Sequence, residues 1–434
     1  MTKGSLRSLW NARTVPDFTA DRRPPTADYP VVVVGAGPAG AATATLLRQR
    51  GHGVLLLDRA TFPRPKACGE YSSPQTADIL RRLGVAEAVE ALPPHRLRGM
   101  RVYAPNGSHY TVDYHAVTGE HHALAIPRAD LDAALLDGAR RAGVEVWEGA
   151  RCKSVGPWDG GGRTLTVATP EGERRVRAQL VVGADGHHSG VARDAGLAAH
   201  RWQHRWPRRV GVVAHYEGVT ALDEYGAMVV GGQDFRGYCG VAPLGGARAN
   251  VAFVVDIDAM KRRGGTMEAF FDAGIAALPP VRDALAGARR VGRIRGVGPL
   301  AQGARRAVAN GVLLVGDAAV YLDPFTGEGV YKALRGAELA ADAADAALRR
   351  GRTDAKALRP YLAARRRAFA EKTLANYLVQ LFVHVPHLMN YLTPRLGSRP
   401  AVARQLVLVL GDLGTAKERR GLFSPAYLWR LLRP

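Results

Sequence analysis

Apolar runs broken by glycine turns dominate the first third of the chain. Val31–Val34 is an unbroken β-branched run, the pattern of a parallel strand buried on both faces. Gly35, Gly37 and Gly40 follow at once, and the alanine-rich segment 41–47 starts a helix. Val54–Leu57 reads as a second buried strand, ended by Asp58. Residues 75–92 predict helix, and 99–126 predict short strands around the turn 104–108. Residues 126–149 read as a helix followed by a strand. A meander with glycine turns at 160–162 and 171–173 then ends in the buried strand Leu180–Val182. Four strand-like runs between 208 and 258 predict a second, mainly antiparallel sheet, with a helix near 266–278. Leu313–Val315 predicts a strand, a long helix runs from about Glu328 to Arg350, and helix resumes past Pro360. Thr373–Pro394 carries no Asp, Glu, Lys or Arg, yet Gln380, His384, Pro386, His387 and Asn390 interrupt it. That pattern predicts a monotopic or pocket-covering helix pair, not a membrane span.

The fold class that follows is α/β. A Rossmann-like domain with a parallel sheet is interleaved with an antiparallel β-sheet domain, and helices form the C-terminus. The expected boundaries are a tail at 1–29, a cofactor domain from 30–98 with 125–200 and 292–345, a substrate-sheet domain from 99–124 with 201–291, and a helical segment at 346–434.

Composition narrows the function. Cys68, Cys152 and Cys239 are far apart, which argues against a metal site, a local dithiol or a disulfide framework and fits a reducing cytoplasm. The basic, proline-punctuated N-terminus lacks the apolar core of a signal peptide, so the expected location is cytoplasmic. The net charge is +21, but no nucleic-acid-binding signature accompanies it, so nucleic acid is not an expected partner. From residue 346 onward there are 17 Lys/Arg against 4 Asp/Glu, which makes peripheral contact with an anionic membrane a candidate.

The glycine turn has the strand, helix, second strand and terminal acid of a dinucleotide fingerprint. Gly35 permits the turn, Gly37 lets backbone approach a pyrophosphate, and Gly40 lets the helix pack on the strand. Ala39 lies within it, and Asp58, followed by Arg59, is placed for a ribose diol. Asp185–Gly186 and Gly316–Asp317 close two further predicted strands at the sheet edge where ligands bind. Asp317 suits the ribityl hydroxyls of a flavin. The loop Pro324–Gly329 precedes a helix whose N-terminal amides favour negative charge on a reduced ring.

Four segments, Gly35–Gly40 (GAGPAG), Ile126–Asp132 (IPRADLD), Val181–Gly186 (VVGADG) and Gly311–Val330 (GVLLVGDAAVYLDPFTGEGV), resemble the FAD-dependent aromatic hydroxylases, geranylgeranyl reductases and flavin halogenases, which share one fold. The resemblance spans about residues 30–345. It implies non-covalent FAD, NAD(P)H as a transient reductant, and a small lipophilic or aromatic substrate under the β-sheet. It implies that Arg128 contacts FAD and that Asp185 and Gly186 lie near FAD and the passing nicotinamide. Asp317 would bind the ribityl chain, while Pro324, Gly327, Glu328, Gly329 and Val330 would border the flavin ring, and Phe325, in the same loop, would line the substrate pocket. Val320 stands where hydroxylases usually carry a histidine. Asp323–Gly329 is more like the reductases, and the halogenase Trp-x-Trp-x-Ile-Pro pattern is missing. Monooxygenation leads among the expected chemistries. Reduction of an isoprenoid or quinone double bond is the alternative, and a flavin-binding partner without turnover is the third.

The loop Pro63–Pro74 reads as leaving the second strand toward the flavin. Cys68 and Gly69 are expected to line the pocket. Glu70 is a candidate base for a phenol, and Lys66 a candidate to neutralise a developing anion. Tyr238 is the third catalytic candidate, and Tyr216 a pocket aromatic that stacks a flat substrate. His187 and His188 read as surface residues.

Overall fold

The structure, a computed structural model, describes residues 26–92, 95–119, 121–199, 208–232, 235–410, 413, 421 and 424–432. The reading of residues 1–25 as a tail lies outside them.

Val31, Val32 and Val33 are fully buried at the centre of an eight-stranded sheet. Their strand, Thr26–Val34, pairs in parallel with Gly172–Gly183 (Val31 opposite Leu180) and with Val54–Leu57 (Val31 opposite Val54). It begins at Thr26, whose backbone pairs with Arg175. Val312–Leu314 and Glu145–Trp147 extend the parallel array on either side. A side chain of this size stabilises by roughly 1.5–3 kcal/mol when fully buried, so these strands hold the layer together. The helices Pro38–Gln49 and Gly329–Arg349 pack on each other over the sheet. Buried Ala41, Ala44, Ala337 and Ala340 let them approach closely.

A second, seven-stranded sheet runs Arg289–Val297, Arg209–Glu217, Arg248–Asp256, Gly237–Gly245, Tyr225–Val230, Gly99–Tyr103, His109–Asp113. It is antiparallel except where Tyr225–Val230 meets Gly99–Tyr103. Its edge strand continues to Val297, past the boundary expected at 291, because Gly211 pairs with Val297. A three-stranded sheet of Tyr71–Ser72, Ala123–Ala125 and His95–Leu97 joins the two layers.

The C-terminal helices are Ala355–His384, Pro386–Ser398, Pro400–Leu410 and Pro425–Leu432. The first starts at Ala355, not past Pro360. Asp354 accepts hydrogen bonds from Lys356 N and Ala357 N, and this cap nucleates the turn that carries the proline. The break at Val385, followed by Pro386, gives the expected helix pair. Among the described residues no helix is long and apolar enough to cross a membrane.

Candidate active site

A cavity of about 670 Å³ lies between the parallel sheet's C-terminal edge and the seven-stranded sheet. Its cofactor end is built by the glycine turn. Gly35 sits at φ +100°, and a Cβ there would lie 2.5 Å from Ala184 O. A Cβ on Gly40 would lie 1.7 Å from Gly35 O, so Gly40 is a packing residue behind the cavity, not part of its wall. Gly37, by contrast, faces open space with only the Arg64 guanidinium near it, 3.6 Å from a built Cβ. The helix that begins at Pro38 has neither a side-chain cap nor an acid in its first turn. Unpaired amides at a helix N-terminus beside a guanidinium form an anion cradle. Arg64, unforeseen in the sequence, is positioned by Asp132 at 3.4 Å and by the Phe62 ring at 4.7 Å.

Asp58 borders the same end with Ala39 and Arg59. Its carboxylate accepts from Ala36 N (2.7 Å) and Ala60 N (2.8 Å), so it also ties the two turns together. Arg128 is held by a two-point ion pair to Asp132, 2.9 Å at each nitrogen. Asp185 lines the cavity, but its oxygens cap the following short helix through Ser189 Oγ (2.6 Å) and Gly190 N (2.7 Å). Burial outweighs these bonds and pushes its carboxyl up.

Farther in stand Gly186, Gly316 and Asp317, then Pro324, Phe325, Gly327, Gly329 and Val330. Burial pushes the Asp317 carboxyl up and the Lys66 ammonium down, and each counters the shift of the other. A Cβ on Gly329 would meet nothing within 4 Å, so the uncapped N-terminus of the second long helix opens onto the cavity. An anion cradle, a buried acid on the cavity wall and a second helix N-terminus fit a flavin dinucleotide.

Glu328 is a correction. It is absent from the cavity wall and turns the other way, toward the C-terminal helix. Its carboxylate is 2.7 Å from Lys372 Nζ and 2.7 Å from Lys332 Nζ, and it accepts from Thr326 Oγ1 at 3.1 Å. Burial alone would raise its pKa, but the two ammonium groups prevail and lower it.

Tyr216 is a second correction. Strand alternation sends it to the far face of the sheet, where its ring lies 6.4 Å from Phe271. Its neighbour His215 takes the cavity-side direction and pairs with Glu70 at 2.7 Å. Glu70, at φ +54°, also accepts from Arg128 N at 2.9 Å, so each oxygen already has a partner. Its backbone N–H donates to Cys68 Sγ at 3.3 Å, and Asn250 Nδ2 donates to Cys68 O at 3.0 Å. Cys68 and Gly69 line the cavity beside this cluster.

Tyr238 borders the cavity and donates to Asp323 Oδ1 at 2.5 Å, edge-on to Phe325 with ring centres 4.9 Å apart. Asp323 is paired with Arg209 at 3.4 Å, which reaches Gln380 on the C-terminal helix. Burial raises the Asp323 carboxyl. His187 is not a surface residue. It lines the cavity, lies tilted against His188 with ring centres 3.9 Å apart, and is depressed to about 4 by burial, then by the charges of His188 and Lys66. The seven-stranded sheet adds an apolar face of Met100, Val102, Val112, Met228 and Val254, with Leu300 beside it and Tyr71, Tyr110, Tyr114 and Tyr321 also in the wall. Among the described residues no His/Cys/Asp/Glu group is placed to hold a metal ion.

A family model described as an FAD binding domain matches residues 28–376. The chain belongs to that family. The flavoprotein is 26% identical over 356 residues to conditioned medium factor receptor 1 of Dictyostelium discoideum, which covers 76% of this chain but 65% of that protein, just under two thirds of its length. It is 30% identical over 338 residues to digeranylgeranylglycerophospholipid reductase 2 of Methanopyrus kandleri, covering 77% of this chain and 81% of that one. Among solved structures, the OxyS anhydrotetracycline hydroxylase from Streptomyces rimosus is 25% identical with a TM-score of 0.68, covering 90% of this chain and 77% of that one. The chain is an FAD-dependent oxidoreductase with the mixed fold that the sequence resemblance implied.

Proposed function

We propose that this flavoprotein reduces a carbon–carbon double bond in a lipophilic, isoprenoid-type substrate. The observation that carries the reading is the apolar wall facing the flavin loops, formed by Met100, Val102, Val112, Met228, Val254 and Leu300. Such a wall holds a chain that offers few hydrogen bonds. FAD supplies two electrons as hydride when bound, with NAD(P)H as a transient donor. The protein's part is to align the double bond, exclude water and furnish the balancing proton. Cys68 carries an exchangeable proton at the wall between the cofactor loops and the apolar side, whereas the Tyr238 hydroxyl is engaged by Asp323.

Two further points support reduction over hydroxylation as the leading chemistry. The 30% identical relative is a reductase. Glu70, the candidate base for a phenol, has its oxygens engaged by Arg128 N and His215. Hydroxylation is the second reading, favoured by the 25% identity to a hydroxylase. Product mass separates them. Anaerobic incubation of FAD-loaded protein with NADPH and a polyprenyl lipid should yield a product two hydrogens heavier. A product formed only in oxygen and heavier by one oxygen atom would overturn the reading.

A further inference from the structure

The helix Ala355–His384 has two unlike faces. Its inner side carries Ala375 and Val383 into a buried cluster with Tyr110, Val112, Met228 and Tyr238, which also border the cavity. Its outer side leaves Leu374, Leu378 and Leu381 exposed at 50%, 36% and 45%. At ~100° per residue these three fall within about 40° of one line along the helix. Arg367 lies on the same line two turns earlier, with exposed Arg359 and Arg366 beside it. No ion pair engages any of the three arginines among the described residues. The outer face is therefore basic in its first half and leucine-lined in its second, with half-buried Glu371 between the two.

A second patch repeats the composition. Trp429 is 68% exposed and Leu432 49%. Tyr391 Oη donates to Leu432 O at 2.7 Å, and the Arg395 guanidinium lies 3.4 Å from the Tyr391 ring centre. Arg399 bridges to Arg430 O at 2.9 Å. Leucines beside arginines, with an exposed tryptophan and tyrosine, match the chemistry of an interface between acyl chains and anionic headgroups.

We propose that the outer face of the helix Ala355–His384, aided by the Tyr391–Trp429–Leu432 patch, docks on an anionic lipid surface. Charge complementarity selects this occupant. The segment from residue 346 holds 17 Lys/Arg and 4 Asp/Glu, which a like-charged second copy does not satisfy. The docked helix presents its inner side to the cavity, so a lipophilic molecule leaving the bilayer meets the substrate wall across one helix.

The test is co-sedimentation of the full FAD-loaded chain with phosphatidylcholine vesicles, with and without about 30 mol % phosphatidylglycerol, at about 0.15 M salt. The expected result is partition onto the anionic vesicles at least about 10-fold above the zwitterionic ones, falling steeply with salt. Leu374→Glu/Leu378→Glu/Leu381→Glu should lower it about 10-fold or more while flavin content holds. Arg366→Glu/Arg367→Glu, which leaves every leucine in place, should abolish the salt-sensitive part and carries the test if the triple variant does not fold. Equal partition of wild type and both variants, or none by wild type, overturns the proposal. So does a wild-type dimer that the leucine variant dissolves without any vesicle binding, which would assign the face to a second copy. Because binding is read without turnover, the result stands apart from the assignment of the reaction.

Discussion

Glu328→Gln is the most informative single change outside the cavity. Glu328 and Lys372 are each 3% exposed in their side chains and meet at 2.7 Å, joining the flavin loop to the C-terminal helix. The amide keeps the shape but leaves Lys372 buried without its negative partner. Breaking one side of a buried pair costs ~3–5 kcal/mol, and the retained hydrogen-bonding capacity places this variant near ~3 kcal/mol. Lys372→Met costs less, ~1–2 kcal/mol, because Glu328 keeps Lys332 and Thr326. The double variant should recover ~1–3 kcal/mol relative to the sum of the singles. The sign with pH is fixed too. The folded Glu328 carboxyl lies below its ordinary value of 4.5, so its contribution is present above that pH and is lost as pH falls through the folded value. Urea denaturation of the four proteins at two pH values, followed by tryptophan emission and flavin release, measures all of this. Additive energies, or a Glu328→Gln cost within ~0.5 kcal/mol of zero, would refute a buried ion pair as the clamp on this loop.

Gly40→Ala should weaken FAD binding by about 10-fold or more, read by flavin titration, because its Cβ would lie 1.7 Å from Gly35 O and must push the helix off the turn. Tyr216→Phe should change turnover by less than about twofold, since its ring packs on Phe271 beyond the sheet. Tyr238→Phe, which removes one donor from buried Asp323 while Arg209 and Phe325 N remain, should cost ~1 kcal/mol of stability by thermal melt. His187, depressed to about 4 by burial, withholds a proton that the unfolded chain takes up. Stability of the flavin-free protein should therefore fall as pH drops from 6.5 toward 4, and His187→Gln should flatten that fall in a pH series of melts.

The turn that builds one end of the cavity was legible because its parts are local. Gly35 to Asp58 is one strand–helix–strand unit, and each glycine answers to a near-backbone constraint visible in the spacing. Side-chain direction was not legible wherever it depends on strand parity or on a distant helix. Tyr216 and His215 differ by one position, and only the pairing of Tyr216 with Ala249 and Arg290 fixes which one shares the sheet face of Gly211 and Val213 and reaches Glu70. Parity counted from Gly211 and Val213, both in the wall, would have pointed to His215. Glu328 sits in a motif whose neighbours line the cavity, yet Lys372, 44 residues later, draws its carboxylate away. No local pattern announces that partner. The same holds for Asp323, whose partners Tyr238, Arg209 and Gln380 come from two strands and a helix.

The reaction itself is best tested by a single-turnover experiment. FAD on the protein is reduced without oxygen and mixed with a polyprenyl lipid while absorbance near 450 nm is followed. The lipid alone should reoxidise the flavin, with one saturated bond formed per flavin. Flavin that stays reduced until oxygen is admitted, and then yields an oxygenated lipid, would contradict it.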